Sequence, residues 1–192
     1  MLNQIRPAVV SLAALTLLLG LAYPLAVTGI AQVFSPGPAN GSLVMAGGRV
    51  VGSRLIGQIF TRPEYLHGRP SAAGDGYDPT QSGGSNLGPL DPKLADRIEK
   101  SAAALGGDRK AIPVDAVTTS ASGLDPDISP EFAAMQAARI AAARHVRAED
   151  VQDLIGRQTE GRFVGVIGEP RVNVLAVNIA LDQRFGKMKP HS

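Results

Sequence analysis

Residues 8–30 read AVVSLAALTLLLGLAYPLAVTGI, and this stretch decides the architecture. It carries no charged side chain and is interrupted only by Ser11, Thr16 and Thr28. As a helix rising about 1.5 Å per residue it is about 35 Å long, enough to cross a hydrocarbon core of about 30 Å with some tilt. A helix is required because backbone groups in lipid must bond within their own segment. Pro24 lies late in the span and is expected to kink or thin its last turns, while Tyr23 suits an interface. The stretch is about twice the length of a signal-peptide core and no clear A-x-A site follows, so it reads as an anchor rather than a cleaved leader.

Charge sets the orientation. Arg6 and the α-amino group precede the span, and the next cation is Arg49. The positive-inside bias predicts that residues 1–7 stay in the cytoplasm, residues 8–30 cross the inner (cytoplasmic) membrane, and the rest is exported. Residues 31–42, with the turn-rich SPGPAN at 35–40, form an exit linker. Residues 43–185 are one soluble extracytoplasmic domain and 186–192 a tail.

The 192 residues allow one domain plus an anchor. Aromatics are 4% and Trp is absent, so the core rests on Ala, Val, Leu and Ile, and 22 glycines and 14 prolines imply long shaped loops. The net charge of +2 comes from cations interleaved with acids, as in Asp96-Arg97, Glu99-Lys100 and Asp108-Arg109. No basic stripe with aromatics tracks a phosphate backbone, so nucleic acid is not an expected partner. Zero Cys excludes disulfides, thiolate catalysis and Cys-based metal sites.

The elements predict a mixed α+β domain. Ser42–Met45 and Val50-Val51 flank glycines as a hairpin would. Gly68 to Pro92 holds little that forms a helix or strand, and a loop this long is functional or disordered; Tyr65, Leu66 and Tyr77 give it apolar grips. Asp91 as cap with Pro92 starts a helix through Leu94, Ile98 and Leu105, ended by Gly106-Gly107. Ser129 and Pro130 start another, to about Arg144, with Phe132, Met135 or Gln136, Ile140 and Ala143 inward. A third spans Ala148 to about Gln158 through Val151, Leu154 and Ile155. Phe163 to Ile167 looks like a strand, and Val172 to Leu181 is a buried element of either type.

Motifs for chemistry are sparse. His67, His145 and His191 stand alone, so no metal site is expected. Asp125-Pro126-Asp127 starts like a calcium loop but puts Pro130 where glycine is needed. Gly83 and Gly88 have phosphate-loop spacing, with Pro89 in the lysine position. No nucleophile elbow surrounds Ser71 or Ser85.

Several motifs nevertheless occur in a recognisable order: Arg6-Pro7-Ala8, Tyr23-Pro24-Leu25, Ala39-Asn40-Gly41-Ser42-Leu43, Gly52-Ser53-Arg54-Leu55-Ile56-Gly57-Gln58, Gly68-Arg69-Pro70-Ser71-Ala72, Ser82-Gly83-Gly84-Ser85-Asn86, Ser122-Gly123-Leu124-Asp125-Pro126, Gln136 to Arg139, and Val172-Asn173-Val174-Leu175. In this the sequence resembles the C subunit of the Kdp-type potassium-transporting ATPase, from residue 6 to about 182. The resemblance implies a non-catalytic accessory subunit of an ATP-driven, high-affinity potassium uptake complex. Its partners would be a channel-like potassium-selective subunit and a P-type ATPase subunit, and it would bind no cofactor itself. It further implies a catalytic chaperone that raises the ATP affinity of the pump subunit, with Gln136 as the nucleotide-touching glutamine. An exported domain cannot reach cytoplasmic ATP, so that role sits badly with the orientation. Arg69, Pro70, Ser71, Ser82, Gly83, Gly84, Ser85 and Asn86 are the candidate docking residues. The competing readings are a membrane-anchored periplasmic hydrolase using Ser71, Ser85 or Asp125, and direct ATP binding.

Overall fold

A computed structural model of the chain describes residues 4–106 and 108–187. The α-amino group, Gly107, His191 and most of the 186–192 tail lie outside the described residues. The chain divides into two compact units at Leu43/Val44.

The first unit is one helical rod, Ile5–Phe34, of mean hydropathy 2.1 and none of it buried, long and apolar enough to span a membrane. It consists of α1 (Ile5–Leu17), a π-helical turn (Leu18–Ala22) and α2 (Tyr23–Phe34). The π turn answers Pro24. Its ring crowds the carbonyl four residues back, at Gly20, and it donates no hydrogen bond there. One widened turn absorbs the misfit. The turns after Pro24 are intact, so the proline marks the turn before it instead of thinning those beyond, and the helix passes Ile30 to Phe34. The SPGPAN segment is folded too. Pro36–Ala39 forms the short α3, and the Gln32 and Asn40 amides bond each other at 3.0 and 3.2 Å.

The second unit is α+β. Strands β1 (Leu43–Ala46) and β2 (Arg49–Ser53) form the predicted hairpin. Gly47 and Gly48 turn it with φ of +57° and +75°, the pair of left-handed residues that a two-residue hairpin turn demands. A second sheet orders β3 (Asp127–Ile128), β5 (Arg171–Asn173) and β4 (Thr159–Glu160), all antiparallel. Ile128 and Thr159 flank Val172, which is fully buried.

Three helices complete the core: α6 (Pro130–Arg144), α7 (Ala148–Gln158) and α8 (Val174–Phe185). Ser129 caps α6 by accepting from the Phe132 N–H, and His145 closes it at φ +55°. Phe132, Gln136 and Ile140 point inward as the periodicity predicts, with Gln136 rather than Met135 taking the shared position. Ala133, Ala137 and Ala141 are also buried, because α6 is covered on more than one side. α4 (Pro92–Leu105) starts at its predicted Asp91 cap and ends at Gly106, but buries none of its residues. The short α5 (Val114–Val117) adds Ala116 to the core.

Two expectations change. Residues 163–167 are not a strand: they form a tight exposed turn, with the strand earlier at Thr159–Glu160. Gly161, Gly165 and Gly168 interrupt the β-branched run, and Val164 adopts φ +51°, which no ladder accommodates. The ambiguous 172–181 segment splits. Asn173 ends β5 and caps α8 through the Ala176 N–H, so both faces are apolar because strand and helix are both enclosed.

Candidate functional site

The long Gly68–Pro92 segment is ordered without regular structure beyond a 3₁₀ turn at Pro79–Gln81. Its order comes from a second loop, residues 118–126, to which it is bonded through residues 69, 71, 82 and 83. The Arg69 guanidinium donates to Asp125 Oδ2 (3.0 Å) and lies at 3.4 Å from the Thr118 and Thr119 carbonyls. Ser71 Oγ donates to the Gly123 carbonyl (2.6 Å) and accepts from the Ala73 and Tyr77 N–H groups. Tyr77 returns its hydroxyl to the Arg69 carbonyl (2.9 Å). Further along, the Gly83 N–H and Ser82 Oγ both donate to the Ser122 carbonyl, and Arg97 of α4 donates to Ser85 Oγ.

The glycines show how close the two loops approach. A Cβ on Gly123, whose φ is +68°, would meet Ala73 N at 2.7 Å and the Gly83 carbonyl at 2.8 Å. One on Gly57 would meet the Asp125 carbonyl at 2.6 Å. The motifs around residues 57, 69–73, 82–85 and 122–126 therefore hold one another's backbone. Burial and the nearby Asp125 charge push the Tyr77 phenol up to about 12, so it stays a neutral donor.

The eight docking candidates are brought together on this platform. Arg69, Ser71, Ser82, Gly83 and Ser85 are partly spent on stitching it, and Asn86, at φ +52°, is exposed. Pro70 is half-buried among them. Next to them Leu90 is 97% exposed.

Gln136 lies elsewhere. It is 5% exposed, and both ends of its amide grip the backbone of one residue: Oε1 accepts from the His67 N–H (2.9 Å) and Nε2 donates to the His67 carbonyl (3.1 Å). Arg139 also donates to Oε1 (2.6 Å). One residue earlier, Asn178 of α8 does the same to Leu66, at 2.7 and 3.0 Å. Two buried amides thus clip the extended 66–67 strand of chain between α6 and α8. Burial holds the His67 imidazole below its ordinary pKa, favouring the neutral ring.

A second buried network was not foreseen from sequence. The Arg144 side chain is fully buried and donates to the Glu64 and Gly186 carbonyls and to Asp182 Oδ1 (2.8 Å). Tyr65 lies against it, 5.1 Å from guanidinium to ring centre, and its hydroxyl donates to Asp182 Oδ2. Glu64, also buried, is ion-paired with Arg62. The only signal was a spacing of Tyr65, Arg144 and Asp182 that nothing in sequence links.

No group of three metal-ligating side chains occurs among the described residues. Ser71 Oγ is occupied by three backbone groups, Ser85 pairs with an arginine, and Asp125 holds Arg69 and its own turn at Asp127 N–H. Each polar side chain that a hydrolase reading nominates is engaged in a structural bond, Ser71 and Asp125 with backbone groups and Ser85 with the Arg97 guanidinium.

The fold and site define a class: a single apolar helix carrying an α+β domain whose polar groups build a surface. Its residues 5–183 match the family described as "K+-transporting ATPase, c chain". The chain is 57% identical to a Beijerinckia indica protein named potassium-transporting ATPase KdpC subunit, over 99% of this chain and 98% of that one. It is 60% identical to the Caulobacter vibrioides protein of the same name (96% and 95%), and 57% to that of Gemmatimonas aurantiaca (95% and 94%). The chain belongs to the KdpC family. It is an accessory subunit of a potassium-transporting ATPase, and the ATPase activity resides in another subunit.

Proposed function

We propose that this subunit is an extracytoplasmic docking and stabilising element of an ATP-driven potassium uptake complex. The helix Ile5–Phe34 crosses the cytoplasmic membrane once with its N-terminus inside, and the α+β domain sits outside, over the channel-like potassium-selective subunit. The platform of residues 68–92 and 118–126 is the docking surface that joins it to that subunit and, through it, to the P-type ATPase subunit. The observation that carries this reading is a long ordered loop, tied to residues 122–125 through Arg69, Ser71, Ser82 and Gly83, that nonetheless leaves Leu90 97% exposed. Any effect on the pump's ATP affinity is then transmitted through differential contact with the pump's conformations, a coupling of about 1–3 kcal/mol. The commitment of both ends of the Gln136 amide to His67 supports action at a distance over direct nucleotide contact.

Deleting residues 72–88 would also remove both donors to the Ser122 carbonyl, so surface substitution is the cleaner test. Leu90→Asp, which removes no internal contact of a fully exposed side chain, should leave the subunit folded and reduce co-purification of its partner subunits and potassium uptake. Intact assembly and uptake would refute the docking role of this surface.

A further inference from the structure

Opposite in character to the stitched platform is the turn between β4 and β5. Its tip is Phe163-Val164-Gly165-Val166-Ile167, and the four apolar side chains are 62–76% exposed. A β-branched residue, Val164, is held at φ +51° with its side chain in solvent. Arg162 and Glu169 close the neck as an ion pair at 2.6 Å. Burial within the domain explains none of these side chains.

We propose that this tip is a lipid-binding foot that inserts into the interfacial zone of the bilayer. Four features select lipid. The tip contains no charged or hydrogen-bonding side chain between Arg162 and Glu169, so it offers a protein partner nothing directional. Four of its five backbone donors are already spent: Phe163 and Ile167 exchange both N–H···O bonds, and the Gly165 and Val166 N–H groups bond Arg162 and Phe163 carbonyls, leaving the Val164 N–H. A closed turn of this kind carries far fewer unpaired N–H groups into the interfacial zone than an open loop would.

The third feature is where the turn is rooted. The chain enters the domain at β1, and the two-residue turn folds β2 back so that its end returns beside the start of β1. Arg54, just past β2, pairs with Glu160, the last residue of β4, and its carbonyl accepts from Asn173 of β5. The apolar turn therefore springs from the same edge of the domain as the start of its first hairpin. Fourth, only residues 35–43 separate helix from domain, a tether of at most about 30 Å, which keeps the local concentration of bilayer high.

The inference rests on the helix being a membrane anchor, and not on which side of the membrane the domain occupies. The chain has no native cysteine, so the complete subunit with Val164→Cys or Val166→Cys carries a single environment-sensitive fluorophore. It is reconstituted without partners into phosphatidylethanolamine–phosphatidylglycerol vesicles, with Thr80→Cys as the solvent reference. Flotation with the vesicles reports the anchor separately from the foot. For floated protein, both tip positions should show blue-shifted emission and strong loss of intensity with quencher-bearing lipids, at a depth of about 5–10 Å, while Thr80→Cys responds only to aqueous quencher. Tip emission that stays unshifted and is quenched from water would overturn the proposal. So would a tip that is wet in vesicles and becomes shielded only in the intact complex, since the turn would then belong to a partner subunit.

Discussion

Replacing Gln136 by alanine separates a structural glutamine from a nucleotide-binding one. The side chain makes bonds at 2.9 and 3.1 Å to the two backbone groups of His67 and accepts from Arg139 at 2.6 Å, while 5% exposed. Truncation frees one donor and one acceptor of a partly buried peptide, each costing about 1–3 kcal/mol when left unmade. His67 is half-buried, so water repairs part of this, and the net loss should be about 2–4 kcal/mol. That is a large share of the roughly 5–15 kcal/mol that holds a domain folded. At about 2–4 °C per kcal/mol for a chain of this size, Tm should fall by about 4–16 °C. Far-UV circular dichroism of the complete subunit in detergent would read this. Gln136→Glu keeps the acceptor and should cost less than Gln136→Ala. At temperatures where both stay folded, the ATP concentration that half-saturates the assembled complex should be unchanged. A variant that melts like the native chain while the complex needs more ATP would refute the reasoning.

The same accounting extends to three other sites. Gly123→Ala adds a left-handed penalty of about 1–2 kcal/mol to a backbone clash with Ala73 and Gly83, and limited proteolysis should cut faster within residues 72–86. Asp182→Ala leaves the fully buried Arg144 charge without its counter-ion; because Asp182 is 25% exposed, the loss should sit near the low end of 3–5 kcal/mol, and Asp182→Asn should lose less in the same melt. Tyr77, raised to about 12 by burial, binds its proton more tightly folded than unfolded, so its contribution is complete below about pH 10 and fades as pH climbs toward 12. Ultraviolet titration should find a phenol ionising near 12 that Tyr77→Phe removes.

What sequence made legible was periodic or punctuated. The span, the Asp91-Pro92 and Ser129-Pro130 helix starts and the Gly47-Gly48 hairpin each follow from local backbone chemistry. The 163–167 segment misled because β-branched residues suit a strand only where another strand pairs with them, and here the glycines close the turn on itself. Residues 172–181 were opaque because enclosure on all sides erases the period that separates helix from strand. The sequence pointed to the 68–92 loop but not to its pairing with residues 118–126: Ser71 reaching Gly123 and Arg69 reaching Asp125 are contacts across about fifty residues. The Gln136 and Asn178 clips and the Arg144–Asp182–Tyr65 cluster were invisible for the same reason, since buried polar pairs are set by tertiary fit and carry no local pattern.

The central claim is topological, and Leu90, the most exposed large apolar residue of the domain at 97%, is the place to test it. In cells producing the otherwise cysteine-free subunit without its partners, Leu90→Cys should react with a membrane-impermeant maleimide while the cells are whole. Labelling that appears only after the cells are opened would contradict an exported domain.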